Sequence, residues 1–295
     1  LPLFVVIAKE ILDNKIHTAE DIERLTPIPV LGVIGKNKAS NNLAVFLKPK
    51  SMVAESFRAL RSNIQFLFDR KLKDRSKTIL VTSSVGGEGK TFISINMATV
   101  FALGGKKTIL VGLDLRKPKI FGDFDITNEI GVVNYLIGEK NISEVIQKSK
   151  IPNLDIITSG PVPPNPSELI MSANMQELIK KLRQEYDIII LDTPPVGLVA
   201  DALELLYYVD ASLYVVRQDY TKRGMLNFVN EKYKSKQIKN ISLIYNGYDQ
   251  KAKYGYGYGY GYGYGYGYGN YANGYHEDMK SKSGVLSRLK SIIKK

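Results

Sequence analysis

The sequence predicts an α/β fold built on a doubly wound, mainly parallel sheet. Two observations carry this prediction. Short apolar runs rich in β-branched residues alternate with helix-length segments, and several of these runs are apolar at every position. Strands that helices cover on both faces have this continuous apolar pattern. The length of 295 residues suits one such domain with appendages at its ends.

The amino-acid composition limits the kinds of site and partner that the chain can have. The chain has no cysteine, which excludes disulfides and thiolate metal sites and is typical of a reducing compartment. The formal net charge of +12 favours partners that carry negative charge, such as nucleotides, nucleic acids or anionic lipids.

The first residues are apolar. Residues 1–8 form an apolar run, which is too short to cross a bilayer because a crossing takes about 20 residues. Lysines follow at Lys9 and Lys15, as expected on the inner flank of a membrane segment. We therefore expect residues 1–17 to be the cytoplasmic end of a transmembrane helix and its linker. The alternative is a buried amphipathic start of a soluble domain.

Residues 18–249 are predicted to form the globular domain. Thr18 caps a short helix that ends before Pro27, and residues 28–34 form a strand. A longer helix is predicted within residues 49–75. On it three charged residues recur every three positions and share one broad face, which most often means a solvated surface: Glu55, Arg58 and Arg61.

A glycine-rich loop joins the apolar run 78–81 to the helix-length run 92–103. Strand, loop and helix in this order form the context of a phosphate-binding loop, in which backbone N–H groups and the helix N-terminus bind phosphate oxygens. Lys90 supplies a charge for the β- and γ-phosphates and Thr91 a hydroxyl for Mg²⁺. The expected ATP-binding residues are Ser84, which replaces the first glycine of the usual motif, Val85, Gly86, Gly87, Glu88, Gly89, Lys90, Thr91 and Phe92.

Two later strands deliver carboxylates. The strand within 107–116 carries Asp114, and residues 187–192 are four apolar residues flanked by aspartates, ending in Asp192 as in a Walker B motif. Ligands of open parallel sheets bind outside the carboxyl ends of the strands, so both carboxylates are expected beside Lys90. We expect Lys90, Asp114 and Asp192 to be catalytic, and Thr91, Asp114 and Asp192 to hold Mg²⁺. For Asp114, the alternative is a carboxylate that only caps a loop.

The rest of the domain repeats the alternation. A strand at 154–158 leads into a proline-rich loop and a helix that Ser167 is expected to cap. Strands at 211–217 and 241–246 flank a basic-tipped helix within 221–236.

The C-terminal region has a different composition. Residues 250–275 are dominated by a Tyr-Gly repeat, which weakens both helix and strand and predicts a disordered tail. A tether to the same domain keeps its hydroxyls at high effective concentration, so they are candidate phosphoryl acceptors, although an adhesive or a plain linker is an alternative. Residues 276–295 are basic and suit an anionic membrane surface, or else a solubilising tail. The candidate phosphorylation sites are Tyr254, Tyr256, Tyr258, Tyr260, Tyr262, Tyr264, Tyr266, Tyr268, Tyr271 and Tyr275.

Together these motifs resemble the bacterial tyrosine kinases (BY-kinases), specifically the cytoplasmic kinase domain of polysaccharide co-polymerases in capsular exopolysaccharide biosynthesis. Residues 84–91 resemble the family's deviant Walker A motif, residues 114–118 its Walker A′ motif and residues 188–195 its Walker B motif. The spacing of Glu55, Arg58 and Arg61 resembles its E-x-x-R-x-x-R oligomerisation motif. The Gly-x-x-Pro-Pro-Asn-Pro loop at 160–166 and the tyrosine-rich C-terminus also match.

The resemblance implies a P-loop NTPase fold, ATP and Mg²⁺ as cofactors, and a kinase that phosphorylates its C-terminal tyrosines in trans. It implies a homo-oligomeric ring, with an octamer as the suggested size and Glu55, Arg58 and Arg61 at the interface. It further implies a fused or separate transmembrane co-polymerase partner, a cognate tyrosine phosphatase, and control of capsular polysaccharide export at the cytoplasmic face of the bacterial plasma membrane. No nucleic-acid partner is expected.

One residue departs from the family pattern. Gly112 stands where the Walker A′ motif usually has its first aspartate, which leaves the general base open between Asp114 and no strong base. A partitioning-type P-loop ATPase without kinase activity is the main alternative, but such proteins carry a lysine where this chain has Val85. A third possibility is a non-catalytic assembly protein that uses ATP to hold a ring.

Overall fold

The computed structural model describes residues 13–39, 41–68, 76–196, 205–238 and 240–249. The predictions for residues 1–12, for the Tyr-Gly tail and for the basic C-terminal segment lie outside these ranges. Among the helices inside them, none is both long enough and apolar enough to cross a membrane.

The described residues form one eight-stranded sheet. Its spatial order is β1-β8-β7-β2-β6-β3-β5-β4, and every neighbouring pair is parallel except β4–β5. The predicted doubly wound, mainly parallel α/β fold is therefore confirmed. The strands are β1 (Val30–Gly35), β2 (Lys77–Ser83), β3 (Thr108–Gly112), β4 (Gln147–Lys148), β5 (Leu154–Ile157), β6 (Ile188–Asp192), β7 (Ala211–Arg217) and β8 (Ile241–Tyr248).

Helices cover both faces of this sheet. The central strands β2, β3 and β6 are buried along their whole length, as their continuous apolar runs predicted. The helices are α1 (Ala19–Leu25), α2 (Ala44–Leu47), α3 (Met52–Gln65), α4 (Lys90–Leu103), α5 (Ile120–Phe124), α6 (Val132–Leu136), α7 (Ile142–Val145), α8 (Pro166–Ile170), α9 (Ala173–Glu185) and α10 (Leu226–Lys234).

Successive side chains of β2 point alternately into two separate core clusters. Ile79 and Val81 pack in the cluster beneath α3 and α4, whereas Leu80 packs in the cluster beneath α6 and α9. A third cluster joins α1 and α10 to β7 and β8, and Ile16 is fully buried in it. Residues 13–17, predicted as linker, thus pack on the domain.

Some predicted boundaries were wrong. Ser167 does not cap a helix: it lies inside the short α8, because Pro166 has the fixed φ that suits a first turn, and Ser172 caps the next helix. The strand expected within 107–116 ends at Gly112, so Asp114 lies on the loop beyond it. The helix expected within 221–236 begins at Leu226, after a 3₁₀ turn over Arg223–Met225.

Candidate active site

The phosphate-binding loop spans the gap between β2 and α4, at the carboxyl edge of the sheet. Gly87 and Gly89 have φ values of 89° and 99°, a region that side chains disfavour. At Gly89 a Cβ atom would also overlap the side-chain amide of Asn246. Both glycines are therefore required by the loop's shape, and the predicted strand–loop–helix order is present.

Lys90 opens α4 and is buried, with 7% of its surface exposed. Burial lowers the pKa of its ammonium group, while the charges of Asp192, Asp114 and Glu88 act to raise it and that of Lys119 to lower it. A desolvated ammonium group at a helix N-terminus is suited to bind the phosphates of a nucleotide.

Asp192 ends β6 and is 3% exposed. Its two carboxylate oxygens accept hydrogen bonds from the hydroxyls of Thr91 and Ser94, each at 2.9 Å. Burial raises the pKa of Asp192 to about 6; the two hydroxyl donors and Lys90 oppose this shift, and Asp114 adds to it. Ser94 was not predicted from the sequence, although it lies one helical turn after Lys90.

Asp114 has two kinds of contact. Its carboxylate accepts the backbone N–H of Lys117 at 3.0 Å, as the loop-capping alternative predicted. The preceding residue, Leu113, donates its N–H to the Asp192 carbonyl at 2.8 Å, which places Asp114 beside the end of β6, and the charge of Asp114 acts on the pKa values of both Lys90 and Asp192. The structure therefore brings Lys90, Asp114 and Asp192 together.

Gly112 is closely packed. The hydroxyl of Ser159 donates to the Gly112 carbonyl at 2.9 Å and lies 3.3 Å from the Asp114 carbonyl. A Cβ atom on Gly112 would stand 3.1 Å from that hydroxyl and 3.3 Å from Cδ1 of Ile120. Ser159 thus occupies the space beside the position where the family motif has its first aspartate.

The oxygens of Thr91 and Asp192 form a donor set that suits Mg²⁺, because this ion prefers hard oxygen ligands. Within the described ranges, no group of three or more histidine, aspartate or glutamate side chains is placed to hold a metal. The protein donors fit a magnesium ion that takes its other ligands from phosphate and water, as P-loop sites do.

The loop is anchored by residues that sequence reasoning missed. Three side chains donate to its carbonyls: Arg217 at the end of β7 to Gly87 at 2.6 Å, Tyr220 beyond β7 to Gly86 at 2.8 Å, and Asn246 in β8 to Glu88 at 2.9 Å. On β7, the Tyr214 hydroxyl bonds that of Ser84 at 2.8 Å. No local motif marks these residues, because only the sheet order brings them to the loop.

Two predicted loop residues use their groups internally. The backbone N–H of Val85 donates to the carboxylate of Glu88 at 2.9 Å, so it already has a partner. The ring of Phe92 packs edge-on against Phe57, with centroids 5.6 Å apart, so only its backbone remains for nucleotide.

The three charged residues of α3 do not behave alike. Arg58 pairs with Glu55 and donates to the Pro49 carbonyl at 2.5 Å. Arg61 instead reaches α4 and donates to the Val100 carbonyl at 2.8 Å. Glu55 and Arg58 therefore interact mainly at the surface, whereas Arg61 contacts a neighbouring helix.

Comparison with known proteins identifies relatives over most of the chain. A family model described as an AAA domain matches residues 76–244. Tyrosine-protein kinase YwqD of Bacillus subtilis (strain 168) is 36% identical over 226 residues, which are 75% of this chain and 94% of the relative.

Two solved structures have the same architecture. The kinase domain of Escherichia coli tyrosine kinase ETK matches with a TM-score of 0.73 and 30% identity, over 83% of this chain and 100% of that one. The chimerical protein CapA2B2 matches with a TM-score of 0.71 and 35% identity, over 78% and 98%. This chain belongs to the bacterial tyrosine kinase family, as its motifs predicted.

Proposed function

We propose that this chain is an ATP-dependent protein-tyrosine kinase that phosphorylates tyrosines of its own C-terminal segment. The observation that carries the proposal is the convergence of Lys90, Thr91 and Asp192, with Asp114 nearby, at the phosphate-binding loop. Family membership supports the choice of tyrosine as the acceptor.

Each group has a role in this proposal. Lys90 and the loop amides bind the β- and γ-phosphates, and Thr91 and Asp192 hold Mg²⁺. When bound, Mg²⁺ would supply positive charge that offsets the negative charge developing on the phosphates. Ser94 orients the Asp192 carboxylate through its 2.9 Å hydrogen bond.

Phosphoryl transfer exchanges one bond for another. A tyrosine oxygen forms a bond to the γ-phosphorus, the bond from that phosphorus to the bridging oxygen breaks, and ADP leaves. We assign the phenolic proton to the carboxylate of Asp114, because Gly112 supplies none. A loose transition state asks little of this base.

The wider parts of the proposal come from the family. We infer that the tyrosines of residues 254–275 are modified in trans within a ring of copies. Glu55 and Arg58 would lie at the interface between neighbouring copies. We also infer a transmembrane co-polymerase partner, a cognate phosphatase and a role in capsular polysaccharide export at the cytoplasmic membrane face. Each phosphate adds about −1.5 to −2 charges, so modified tails would repel one another and loosen the ring.

Intact-mass spectrometry tests the kinase activity. Dephosphorylated protein that includes residues 254–275 is incubated with Mg·ATP beside Lys90→Met as the matched control. We expect a ladder of added phosphates that map to residues 254–275 in the wild type and no added mass in the variant. ADP release without added mass would overturn the proposal in favour of the ATPase alternative, and a ladder unchanged in Lys90→Met would overturn the assigned site.

A further inference from the structure

A buried hydrogen-bonded junction joins the phosphate-binding loop to the residues that follow β7. Its centre is Thr221, which follows β7 and is fully buried, and its partner is the equally buried Glu88 of the loop. The Thr221 hydroxyl donates to one carboxylate oxygen of Glu88, and the other oxygen accepts the Val85 N–H at 2.9 Å. Both oxygens of this loop carboxylate are therefore held.

The hydroxyl is itself fixed in direction. Its oxygen accepts the backbone N–H of Arg217 at 2.9 Å, so its single proton is left for Glu88. The Thr221 N–H donates back to the Arg217 carbonyl at 3.0 Å, which closes a turn at the end of β7. The junction is thus rigidly attached to the sheet.

We propose that Thr221 is a positioning residue for the phosphate-binding loop, acting through Glu88. This inference rests on the proposed nucleotide chemistry and adds a residue to it. A carboxylate inside a phosphate-binding loop would weaken nucleotide binding if it turned toward the phosphates, because the like charges repel. Glu88 lies near enough to Lys90 for its charge to act on the pKa of that ammonium group. Held by Thr221 and Val85, the carboxylate instead shapes the turn.

Thr221 also binds the start of the domain. Its carbonyl accepts the N–H of Ile16 at 2.9 Å, and two neighbours extend this contact: Asp219 N–H donates to the Ile16 carbonyl at 2.9 Å, and Arg223 N–H to the Asn14 carbonyl at 2.7 Å. One residue therefore contacts the nucleotide loop by its side chain and segment 13–17 by its backbone. The amide of Ile16 is a natural reporter of this junction.

Substitution of Thr221 tests the inference in the full chain. Thr221→Val keeps the shape and removes the hydroxyl, and we expect it to weaken Mg·ADP binding by about 10-fold, the loss of one hydrogen bond to a charged group. The KM for ATP should rise by a similar factor, and Thr221→Ser should restore both values to within about 2-fold. Thr108→Val is the matched control, because this buried hydroxyl donates to the Lys106 carbonyl at 2.9 Å, away from the loop.

Two readouts separate positioning from mere packing. A packing role would lower the unfolding temperature with and without Mg·ADP alike, whereas positioning predicts a smaller nucleotide-induced rise in Thr221→Val than in Thr108→Val. Mg·ADP should also slow hydrogen exchange at the Ile16 amide in the wild type, because binding at one end of a junction protects the other.

Unchanged Mg·ADP affinity in Thr221→Val would overturn the inference, as would failure of Thr221→Ser to recover it. Should Thr221→Val not fold, Glu88→Ala tests the same contact from the loop side, since it removes the acceptor of both the Thr221 hydroxyl and the Val85 N–H; unchanged affinity there would also overturn the inference. Absence of tail phosphorylation in the wild type would instead defeat the proposed kinase activity and leave the binding result intact.

Discussion

The surroundings of Asp192 disfavour the ionised form of its carboxylate. It is buried, and its pKa is raised from 3.8 to about 6. The folded protein therefore binds more protons than the unfolded chain between about pH 4 and 6, and the ionised carboxylate lowers the free energy of unfolding above pH 6. This penalty disappears as the pH falls through that window. A cation bound at Asp192 would offset it at neutral pH.

Replacement of Asp192 by asparagine should consequently have opposite effects on the free and the nucleotide-bound protein. At pH 7.5 we expect Asp192→Asn to raise the free energy of unfolding without nucleotide by about 1–2 kcal/mol, because a buried charge is removed. The stabilisation by Mg·ADP should be lost. Near pH 4 the gain should vanish, because the wild-type carboxyl is then neutral in the fold.

Thermal unfolding at the two pH values, with and without Mg·ADP, measures all of these effects. A variant that is less stable than the wild type at pH 7.5 without nucleotide would contradict this account of Asp192. Asp192→Asn leaves one acceptor oxygen for the two hydroxyls of Thr91 and Ser94, but Ser94 has a second acceptor in the Lys90 carbonyl at 3.0 Å.

Helix α3 combines a structural residue with surface residues in one charge pattern. Arg61 ties α3 to α4 through the Val100 carbonyl, whereas Arg58 pairs with Glu55 at the surface. We expect Arg61→Ala to lower the free energy of unfolding by about 1–2 kcal/mol, as loss of a hydrogen bond from a charged donor does. Arg58→Ala should change it by less than about 0.5 kcal/mol, because its bonds to Glu55 and to the Pro49 carbonyl are exposed and water can replace them.

Urea unfolding at a protein concentration where both variants are monomeric checks this difference, and light scattering at higher concentration measures assembly. If the proposed ring uses this face, Arg58→Ala should impair assembly without loss of stability. Equal destabilisation by the two substitutions would show that the division of α3 is wrong.

The sequence predicted the elements that are continuous in the chain. Strand, glycine-rich loop and helix follow one another directly, so Lys90 and Thr91 were identifiable from local chemistry alone. Arg217, Tyr220, Thr221 and Asn246 were not, because they reach the loop only through the order β8-β7-β2, which no local pattern encodes. The bond from Arg61 to α4 was missed because it depends on how α3 packs against α4, whereas the spacing of three residues suggested one uniform face.

On the scale of the whole molecule, the domain begins and ends beside its active edge. Segment 13–17 packs against the residues that follow β7, and β8 carries Asn246, which bonds the phosphate-binding loop. The Tyr-Gly segment follows β8 within a few residues. The tail is therefore attached near the nucleotide site, and the proposed transfer between copies requires a test of its own.

The most direct test of transfer between copies mixes two variants of different mass, both with residues 1–295. Lys90→Met keeps the tail tyrosines but lacks the essential ammonium group, and a second variant keeps the site but has phenylalanine at all ten tail tyrosines. With Mg·ATP, we expect mass spectrometry to find phosphate on residues 254–275 of the Lys90→Met chain in the mixture and on neither variant alone. An unmodified Lys90→Met chain in a mixture that still releases ADP would contradict phosphorylation between copies.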